Sequence, residues 1–408
     1  MQQQELIPHL FRTEFRKITA VLSKLLGIEH IETAEDIVSD TFLSAVESWP
    51  YKGIPPNPTA WLYAVAKNKA RNYIVRNHIF DTKVSSEIIQ SLEENQGIEI
   101  DLSDKNISDS QLQMLFAICH PSISIEAQIG LALRILCGFG IDEIANAFLS
   151  NKETINKRLF RAKEKLRTEK VAIEFPVETE IQVRLEAVLR TLYLLFNEGY
   201  YSESQDTVLR NDLCLEAMRL TYLLIENEST NLPEVKALLS LMCFHASRFE
   251  ARKNVNGEIV LYQDQDESLW NKELIDKGAY YLHQASQGTR FSRYHLESSI
   301  AYWHTIKADT NEKWESILQL YNQLLIFEYS PIAALNRTFA FSKVYGKPKA
   351  IVEAEKLKLN DNPYYFTLLG ELYKELDKAK AKENFQKAYQ FAGTQADRQV
   401  IQKQMDGL

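Results

Sequence analysis

The segment GIDEIANAFLSNKETINKRLFRAKEKLR, residues 140–167, predicts two helices joined by a tight turn. In its first part, apolar residues recur at i, i+3, i+4 and i+7, the spacing of one buried helix face. Ser150 followed three residues later by Glu153 predicts a capping box that opens the second helix. The second helix has one narrow apolar stripe, formed by Ile155, Leu159, Ala162 and Leu166. The pattern is that of a helix-turn-helix.

The second of these helices is strongly basic. From Lys152 to Arg167 there are seven Lys or Arg residues and two Glu residues, in a chain whose net charge is −8. A compact basic helix in an acidic protein suits a DNA phosphate backbone and major groove. The alternative is an ordinary amphipathic helix with a solvated basic face. The residues best placed to reach bases or phosphates are Asn156, Lys157, Arg158 and Arg161.

Composition predicts an all-α protein of two or three domains. The 408 residues include only 14 Gly and 11 Pro, and long stretches repeat at helical spacing. No apolar run is long enough for a transmembrane helix, and the N-terminus does not resemble a secretory signal. Four widely spaced cysteines, Cys119, Cys137, Cys214 and Cys243, suit buried, reduced thiols in the cytoplasm.

The chain divides into four predicted segments. Residues 1–77 form a first helical unit, and residues 78–110 form an acidic linker with eight Asp or Glu residues against two Lys. Residues 111–172 form a second helical unit that ends in the helix-turn-helix. Residues 178–408 are paired amphipathic helices arranged as an α-solenoid-like array.

The first unit is expected to contain two helices. Thr33 is positioned to cap a helix from Ala34 to Trp49, which Pro50 and the GIPPNP loop (53–58) would end. A second helix follows from Thr59 to about Arg76.

These two helices carry contrasting surface patterns. On the first, an acidic stripe is formed by Asp36, Asp40, Leu43 and Glu47, which suits either solvent or a basic protein partner. On the second, basic and polar residues alternate with aromatic ones, a combination that suits unstacked single-stranded bases. For Trp61 and Tyr73 the sequence leaves open whether the rings bind bases or pack in the core.

These elements, in this order, resemble the extracytoplasmic-function (ECF) family of bacterial RNA polymerase sigma factors. AEDIVSDTFLSAVESW (34–49) resembles region 2.2, which binds the β′ clamp helices of core RNA polymerase. PTAWLYAVAKNKARNYIVRN (58–77) resembles regions 2.3 and 2.4, which melt and read the −10 element. IDEIANAFLSNKETINKRLFRAKEKL (141–166) resembles region 4.2, which reads the −35 element.

The resemblance assigns roles to residues. Core polymerase binding falls to Asp36, Asp40, Leu43 and Glu47, with the β flap as a further contact of the polymerase. Reading of the −10 element falls to Trp61, Lys67, Asn68, Arg71, Asn72 and Arg76. Reading of the −35 element falls to Lys152, Thr154, Asn156, Lys157, Arg158 and Arg161. The family usually has Asp at the position of Asn72, so this chain departs from the family pattern there.

The remainder is similar to the sigma-factor subgroup with a long tetratricopeptide-like C-terminal extension. In residues 362–393 the repeat pattern is approximated by Leu369, Gly370, Tyr373, Ala381, Phe385 and Ala388, with one residue too few between Tyr373 and Ala381. Two polar-aromatic clusters, residues 196–204 and 264–270, suit either helix capping or a ligand or partner groove. The resemblance implies a regulatory extension that binds its own sigma domains or an unknown regulator.

One rival reading is a helix-turn-helix repressor or activator with a repeat-type sensor domain. The pair of helices before the helix-turn-helix favours the sigma factor, because a conventional repressor needs neither a polymerase-docking stripe nor a single-strand reader. No catalytic spacing, phosphate loop or metal pair stands out. The sequence therefore predicts a cytoplasmic, non-enzymatic protein with promoter DNA and core polymerase as partners, and with no cofactor, metal or membrane.

Overall fold

The computed structural model describes residues 3–77, 100–201, 207–252, 260–288 and 290–408. Within these ranges the chain forms 18 α-helices and no strand, which confirms the predicted all-α fold. The chain divides into two compact units, residues 1–230 and residues 231–408.

The first unit contains the following helices in its described part: α1 (Gln3–Leu26), α2 (Ile31–Lys52), α3 (Pro58–Asn77), α4 (Asp104–Ile118), α5 (Ile125–Leu131), α6 (Ile141–Ala147), α7 (Lys152–Thr168), α8 (Glu178–Tyr201) and α9 (Thr207–Glu226). Helix α5 continues without a break into a wider turn, Ala132–Leu136. The first three helices share one hydrophobic core, in which Phe15, Phe42, Trp49 and Leu62 are buried. This core holds the surfaces of α2 and α3 in a fixed relation to each other.

The predicted ends of α2 are wrong. The helix begins at Ile31, and Thr33 lies within its first turn rather than capping it. The Ile31 side chain is fully buried, so tertiary packing sets the start of the helix ahead of the local capping signal. Pro50 does not end the helix, which continues to Lys52 and Gly53. Proline at this point loses one hydrogen bond within a turn of the end, so the cost is small.

The predicted linker, residues 78–110, is wrong at its C-terminal end. Helix α4 begins at Asp104, where the Ser103 hydroxyl accepts a hydrogen bond from the Asn106 backbone N–H. Residues 104–110 are therefore helical. Residues 78–99 lie outside the described residues, so their predicted linker character remains a prediction.

The predicted extension does not start a new compact unit at residue 178. Helices α8 and α9 belong to the first unit, and they contact α4 and α5 through buried polar groups. The Arg184 guanidinium donates to the Phe116 carbonyl at 2.7 Å, and the Thr191 hydroxyl donates to the Gln128 side chain at 2.8 Å. Arg219 of α9 donates to the Leu136 carbonyl at 2.7 Å. The division between units falls about 50 residues later.

The second unit is a succession of helices that pack on their neighbours along the chain. In its described part these are α10 (Pro233–Ala246), α11 (Lys272–Ser286), α12 (Arg293–Trp303), α13 (Asn311–Phe327), α14 (Pro331–Tyr345), α15 (Lys347–Lys356), α16 (Pro363–Tyr373), α17 (Lys378–Phe391) and α18 (Gln395–Asp406). Helices α16 and α17 approach closely at Gly370, where an added Cβ would lie 2.8 Å from the Phe385 ring. Glycine is required there because any larger side chain would push the two helices apart.

All four cysteines are buried and free, and burial raises the pKa of the Cys119 thiol to about 12. No helix in the described ranges is long and apolar enough to cross a bilayer.

Candidate nucleic-acid interface

Helices α6 and α7 are joined by a short turn, in which backbone hydrogen bonds end α6 and a side chain caps α7. The Ser150 N–H donates to the Ala145 carbonyl at 2.8 Å, and the Leu149 N–H donates to the Asn146 carbonyl at 3.3 Å. This pair of bonds is a Schellman motif, with Leu149 in the left-handed region at φ 47°. Ser150 is thus part of the end of α6, and the predicted Ser150 cap is wrong. The Asn151 side chain caps α7 instead, accepting from the Thr154 N–H at 2.8 Å.

The apolar stripe of α7 is buried as predicted. Leu159 packs on Gly130 of α5, where a Cβ would lie 2.9 Å from its methyl carbon. The stripe fixes the orientation of α7, so the opposite side of the helix faces solvent. This local geometry is what the periodicity of residues 155–166 predicted.

The solvent side of α7 carries most of the residues expected to touch DNA. Exposed positions are Lys152, Thr154, Asn156, Lys157 and Arg161. Arg158 is half-buried, with its guanidinium carbon 5.6 Å from the centre of the Phe148 ring. Lys152 and Lys157 each pair with an acid of the same helix-turn-helix segment, Asp142 and Glu153, both at 2.6 Å. Pairs this exposed are weak, so both lysines remain available to a phosphate.

A cavity of about 500 Å³ opens beside this basic face. One wall comes from the start of α5 and the residues before it, and the other from α7. It is lined by Ser122, Ser124, Thr154, Lys157, Arg158, Arg161 and Lys165, among others. Hydroxyl donors and four cations around one groove suit a chain of phosphates.

The basic and amide side chains of α3 that were predicted to read the −10 element are exposed or half-buried. Asn68, Asn72 and Arg76 are exposed, and Lys67 and Arg71 are half-buried. Trp61 and Tyr73 pack against the core of the first three helices while remaining partly exposed. The Trp61 ring meets the Trp49 ring edge-on, with centroids 5.4 Å apart.

The sequence left open whether the rings of Trp61 and Tyr73 bind bases or pack in the core. Both rings have a structural role in the core, and each keeps an exposed part. Tyr63, also in this helix, has its hydroxyl bound to the Glu14 carboxylate at 2.7 Å, and burial raises its pKa above the usual range.

The acidic stripe on α2 is exposed throughout. Asp36, Asp40 and Glu47 surround Leu43, which is 52% exposed. A solvent-facing leucine flanked by carboxylates forms a small amphipathic patch of negative charge.

The structure also contains a buried ionic cluster that the sequence did not reveal. Glu35 is 6% exposed and its two carboxylate oxygens bind Arg134 Nε at 2.8 Å and Lys163 Nζ at 2.5 Å. Next to it, Arg167 binds Glu32 at 2.7 Å. The cluster joins the start of α2 to the second half of α7. Lys163 is therefore buried and paired, and Arg167 is paired while remaining half-buried.

Nothing in the local sequence pairs these residues. Glu35 and Lys163 are separated by 128 positions, and only the tertiary fold brings them together. One feature of the sequence could have indicated a buried ion pair. Glu35 falls on the apolar face of α2, with Ala34 and Val38, and a buried carboxylate needs a partner.

Comparison with known proteins finds two matching families and one similar protein. Residues 10–78 match the Sigma-70 region 2 family, and residues 184–286 match a family of unknown function (DUF6596). The chain is 32% identical over 385 residues to Uncharacterized protein R00370 of Rhizobium meliloti (strain 1021), covering 93% of this chain and 90% of that protein. The chain belongs to the family of that protein. It carries a sigma-70 region 2, which supports a sigma-factor role in RNA polymerase binding and promoter-specific initiation. No solved structure matches.

The region 2 match spans α2 and α3, the helices with the acidic stripe and the basic-aromatic face. The match to the family of unknown function includes all of α9, α10 and α11. It therefore runs across the division between the two units at residue 230.

Proposed function

We propose that the protein is a sigma factor of the extracytoplasmic-function type whose second unit, with α8 and α9, is a regulatory extension. The observation that carries the proposal is the sigma-70 region 2 match on helices that expose an acidic docking stripe beside a basic-aromatic helix. Core RNA polymerase and promoter DNA are the partners. The protein contributes binding energy and alignment, and the polymerase contributes the chemistry.

In this proposal the β′ clamp helices of core RNA polymerase bind the acidic stripe of α2, which consists of Asp36, Asp40, Leu43 and Glu47. Their exposure supports this role, because each is free to meet a partner without rearrangement of the core. Charged residues at the rim raise the rate of association, and the apolar centre contributes most of the affinity. Leu43 is thus the residue whose loss is expected to weaken the complex most.

The DNA-reading step falls to α3 and α7. The exposed residues of α7 and the groove beside them suit the major groove and phosphates of a −35 element. On α3, Lys67, Asn68, Arg71, Asn72 and Arg76 suit the −10 element, with the exposed part of Trp61 available to stack on an unpaired base.

The buried ionic cluster suggests how access to DNA is controlled. The Thr33 hydroxyl contacts the Tyr73 hydroxyl of α3 at 3.5 Å, and Glu35 contacts Lys163 of α7, so both reading helices are attached to the first turns of α2. Helix α7 is only about 25 Å long. The −35 and −10 elements, roughly 25 base pairs apart as their names indicate, are separated by about 85 Å of B-DNA. The two reading helices must therefore separate before they engage both elements.

Helices α8 and α9 make further contacts with this compact arrangement. Arg16 of α1 pairs with Glu216, and Arg219 reaches both Gln111 of α4 and the Leu136 carbonyl. The extension is thereby built into the sigma unit through its first two helices. The remaining helix pairs, with the close approach at Gly370, are consistent with a tetratricopeptide-like array as the site where a regulator acts.

The affinity for purified bacterial core RNA polymerase tests the docking role. Leu43→Ala in the full chain is expected to weaken binding about five- to tenfold. Leu215→Ala is the matched control, because Leu215 is a helical leucine of the same unit with a similar exposed fraction, 53%. Equal affinities for the two variants would remove α2 from the docking surface.

Transcription by the full chain and by residues 1–230 tests the regulatory role. The boundary at 230 keeps α8 and α9, which a cut at residue 177 would remove from their places on α4 and α5. A change in promoter output between the two proteins assigns regulation to the second unit. Identical output would show that residues 231–408 do not regulate initiation.

A further inference from the structure

The second unit buries two cations against one tyrosine. Arg248 is 9% exposed and Lys313 is 1% exposed. The Arg248 guanidinium carbon lies 5.6 Å from the centre of the Tyr262 ring, and Lys313 Nζ lies 5.3 Å from the same centre. Arginine and lysine are almost never buried this far without a paired carboxylate.

The pairing of these two cations is incomplete. Lys313 Nζ donates to the Tyr262 hydroxyl at 3.1 Å and to the Ile306 carbonyl at 2.5 Å, both neutral acceptors. Arg248 Nε has no hydrogen-bond partner, and no carboxylate in the described ranges forms an ion pair with either cation. Asp309 attracts Lys313, but its carboxylate is already bound by the Trp314 indole and by Lys343.

The surrounding groups add further unused hydrogen-bonding capacity. The Trp270 indole N–H is buried and has no partner among the described residues, and its ring stacks on Tyr262 at 6.2 Å. His304 meets Tyr262 edge-on at 5.2 Å, and its Nδ1 also lacks a partner there. Burial, together with the charges of Arg248 and Lys313, lowers the pKa of His304 to about 3, so this imidazole is neutral. Tyr262 and His304 are half-buried, so one edge of the cluster lies at the protein surface.

We propose that Arg248, Lys313 and Trp270 form a binding site for a small organic anion, with a carboxylate or phosphate head and a planar or apolar body. Two buried cations that have no paired carboxylate in the described ranges, and an indole N–H without a partner there, are the complement of an oxyanion. The rings of Tyr262, Trp270 and His304 offer the apolar surface against which a body would lie. The site lies within the second unit and does not depend on the proposed sigma function.

Binding of small anions to the full chain is the test, measured by calorimetry and by intrinsic tryptophan fluorescence, to which Trp270 and Trp314 contribute. The probes are benzoate, acetate and inorganic phosphate, each titrated at constant ionic strength. Saturable binding of benzoate, tighter than any binding of acetate, identifies a carboxylate ligand with a body. Saturable binding of phosphate alone identifies a phosphate head. The proposal is overturned if none of the three binds saturably.

Variants separate a ligand site from a structural role. Arg248→Gln is expected to weaken binding at least about tenfold, and Arg248→Lys to weaken it less, since the charge remains and the planar fork is lost. Arg290→Gln, which removes an exposed arginine of the same unit, is expected to leave binding unchanged. Without ligand, Arg248→Gln should melt no lower than the parent chain, because it removes an uncompensated buried charge. The proposal is contradicted if the Arg248→Gln variant fails to fold, or if it binds as well as Arg290→Gln.

Discussion

Glu35 joins three parts of the first unit through one carboxylate. Its neighbours along α2 on the exposed side, Asp36 and Asp40, remain in solvent, while Glu35 accepts from Arg134 and Lys163 in the interior. The two kinds of acid on the same helix have different consequences. The exposed carboxylates lie in solvent, and the buried one holds α7 against the start of α2.

Replacing Glu35 with Gln should destabilise the first unit. The substitution leaves Lys163 buried, with only the more distant Glu32 carboxylate at 3.7 Å, and breaking such a pair costs about 3 kcal/mol. Urea unfolding, with hydrogen exchange to report on α2 and α7, measures the effect. Asp36→Asn is the control and should shift the free energy of unfolding by no more than about 0.5 kcal/mol. If both variants unfold alike, the ionic cluster does not hold α7.

At the scale of elements, the turn between α6 and α7 contains a strained residue. Leu149 adopts φ 47°, a conformation that favours glycine, and its side chain is 65% exposed, so it gains little from burial. Leu149→Gly should therefore raise the free energy of unfolding by roughly 0.5–1 kcal/mol. Leu149→Ala keeps the strain and should not stabilise. Thermal unfolding of the two variants measures the difference, and stabilisation by both would point to another cause.

The basic face of α7 should set the salt dependence of promoter binding. If Lys157 contacts a phosphate as proposed, Lys157→Gln should lower the slope of log affinity against log salt by about 0.9. Lys387→Gln is the control, because Lys387 forms the same kind of exposed i,i+4 pair with Glu383 in the second unit. Promoter binding by the polymerase complex, titrated with salt, provides the measurement. An unchanged slope for Lys157→Gln would place the phosphates elsewhere.

The sequence predicted elements better than their ends. The periodicity of residues 155–166 predicted the buried stripe of α7, and the exposed acidic stripe of α2 followed from its spacing. The caps at Thr33 and Ser150 were wrong because nonlocal packing and a preceding Schellman turn decided those ends. The pairing of Glu35 with Lys163 was beyond sequence reasoning, since no spacing rule relates positions so far apart. The roles assigned to individual DNA-reading residues remain predictions.

At the scale of the whole molecule, the boundary between the two compact units, at residue 230, lies within the segment 178–408 that the sequence predicted as one extension. Helices α8 and α9 complete the first unit through buried contacts such as that of Thr191 with Gln128. Residues 1–230 should therefore fold as a compact domain, whereas residues 1–177 should expose apolar surface of α4 and α5 and aggregate. Circular dichroism and gel filtration of the two fragments measure this. A well-folded, monomeric 1–177 fragment would show that α8 and α9 are dispensable for the sigma unit.

Run-off transcription with purified bacterial core RNA polymerase on a promoter library tests the central claim most directly. The sigma-factor account predicts initiation that depends on both the core enzyme and this protein, from templates that share one −35 and −10 pair. Asp40→Asn combined with Glu47→Gln should reduce that output by weakening docking. The contradictory result is binding to duplex DNA in the absence of core polymerase together with no initiation in its presence, as expected of a repressor or activator.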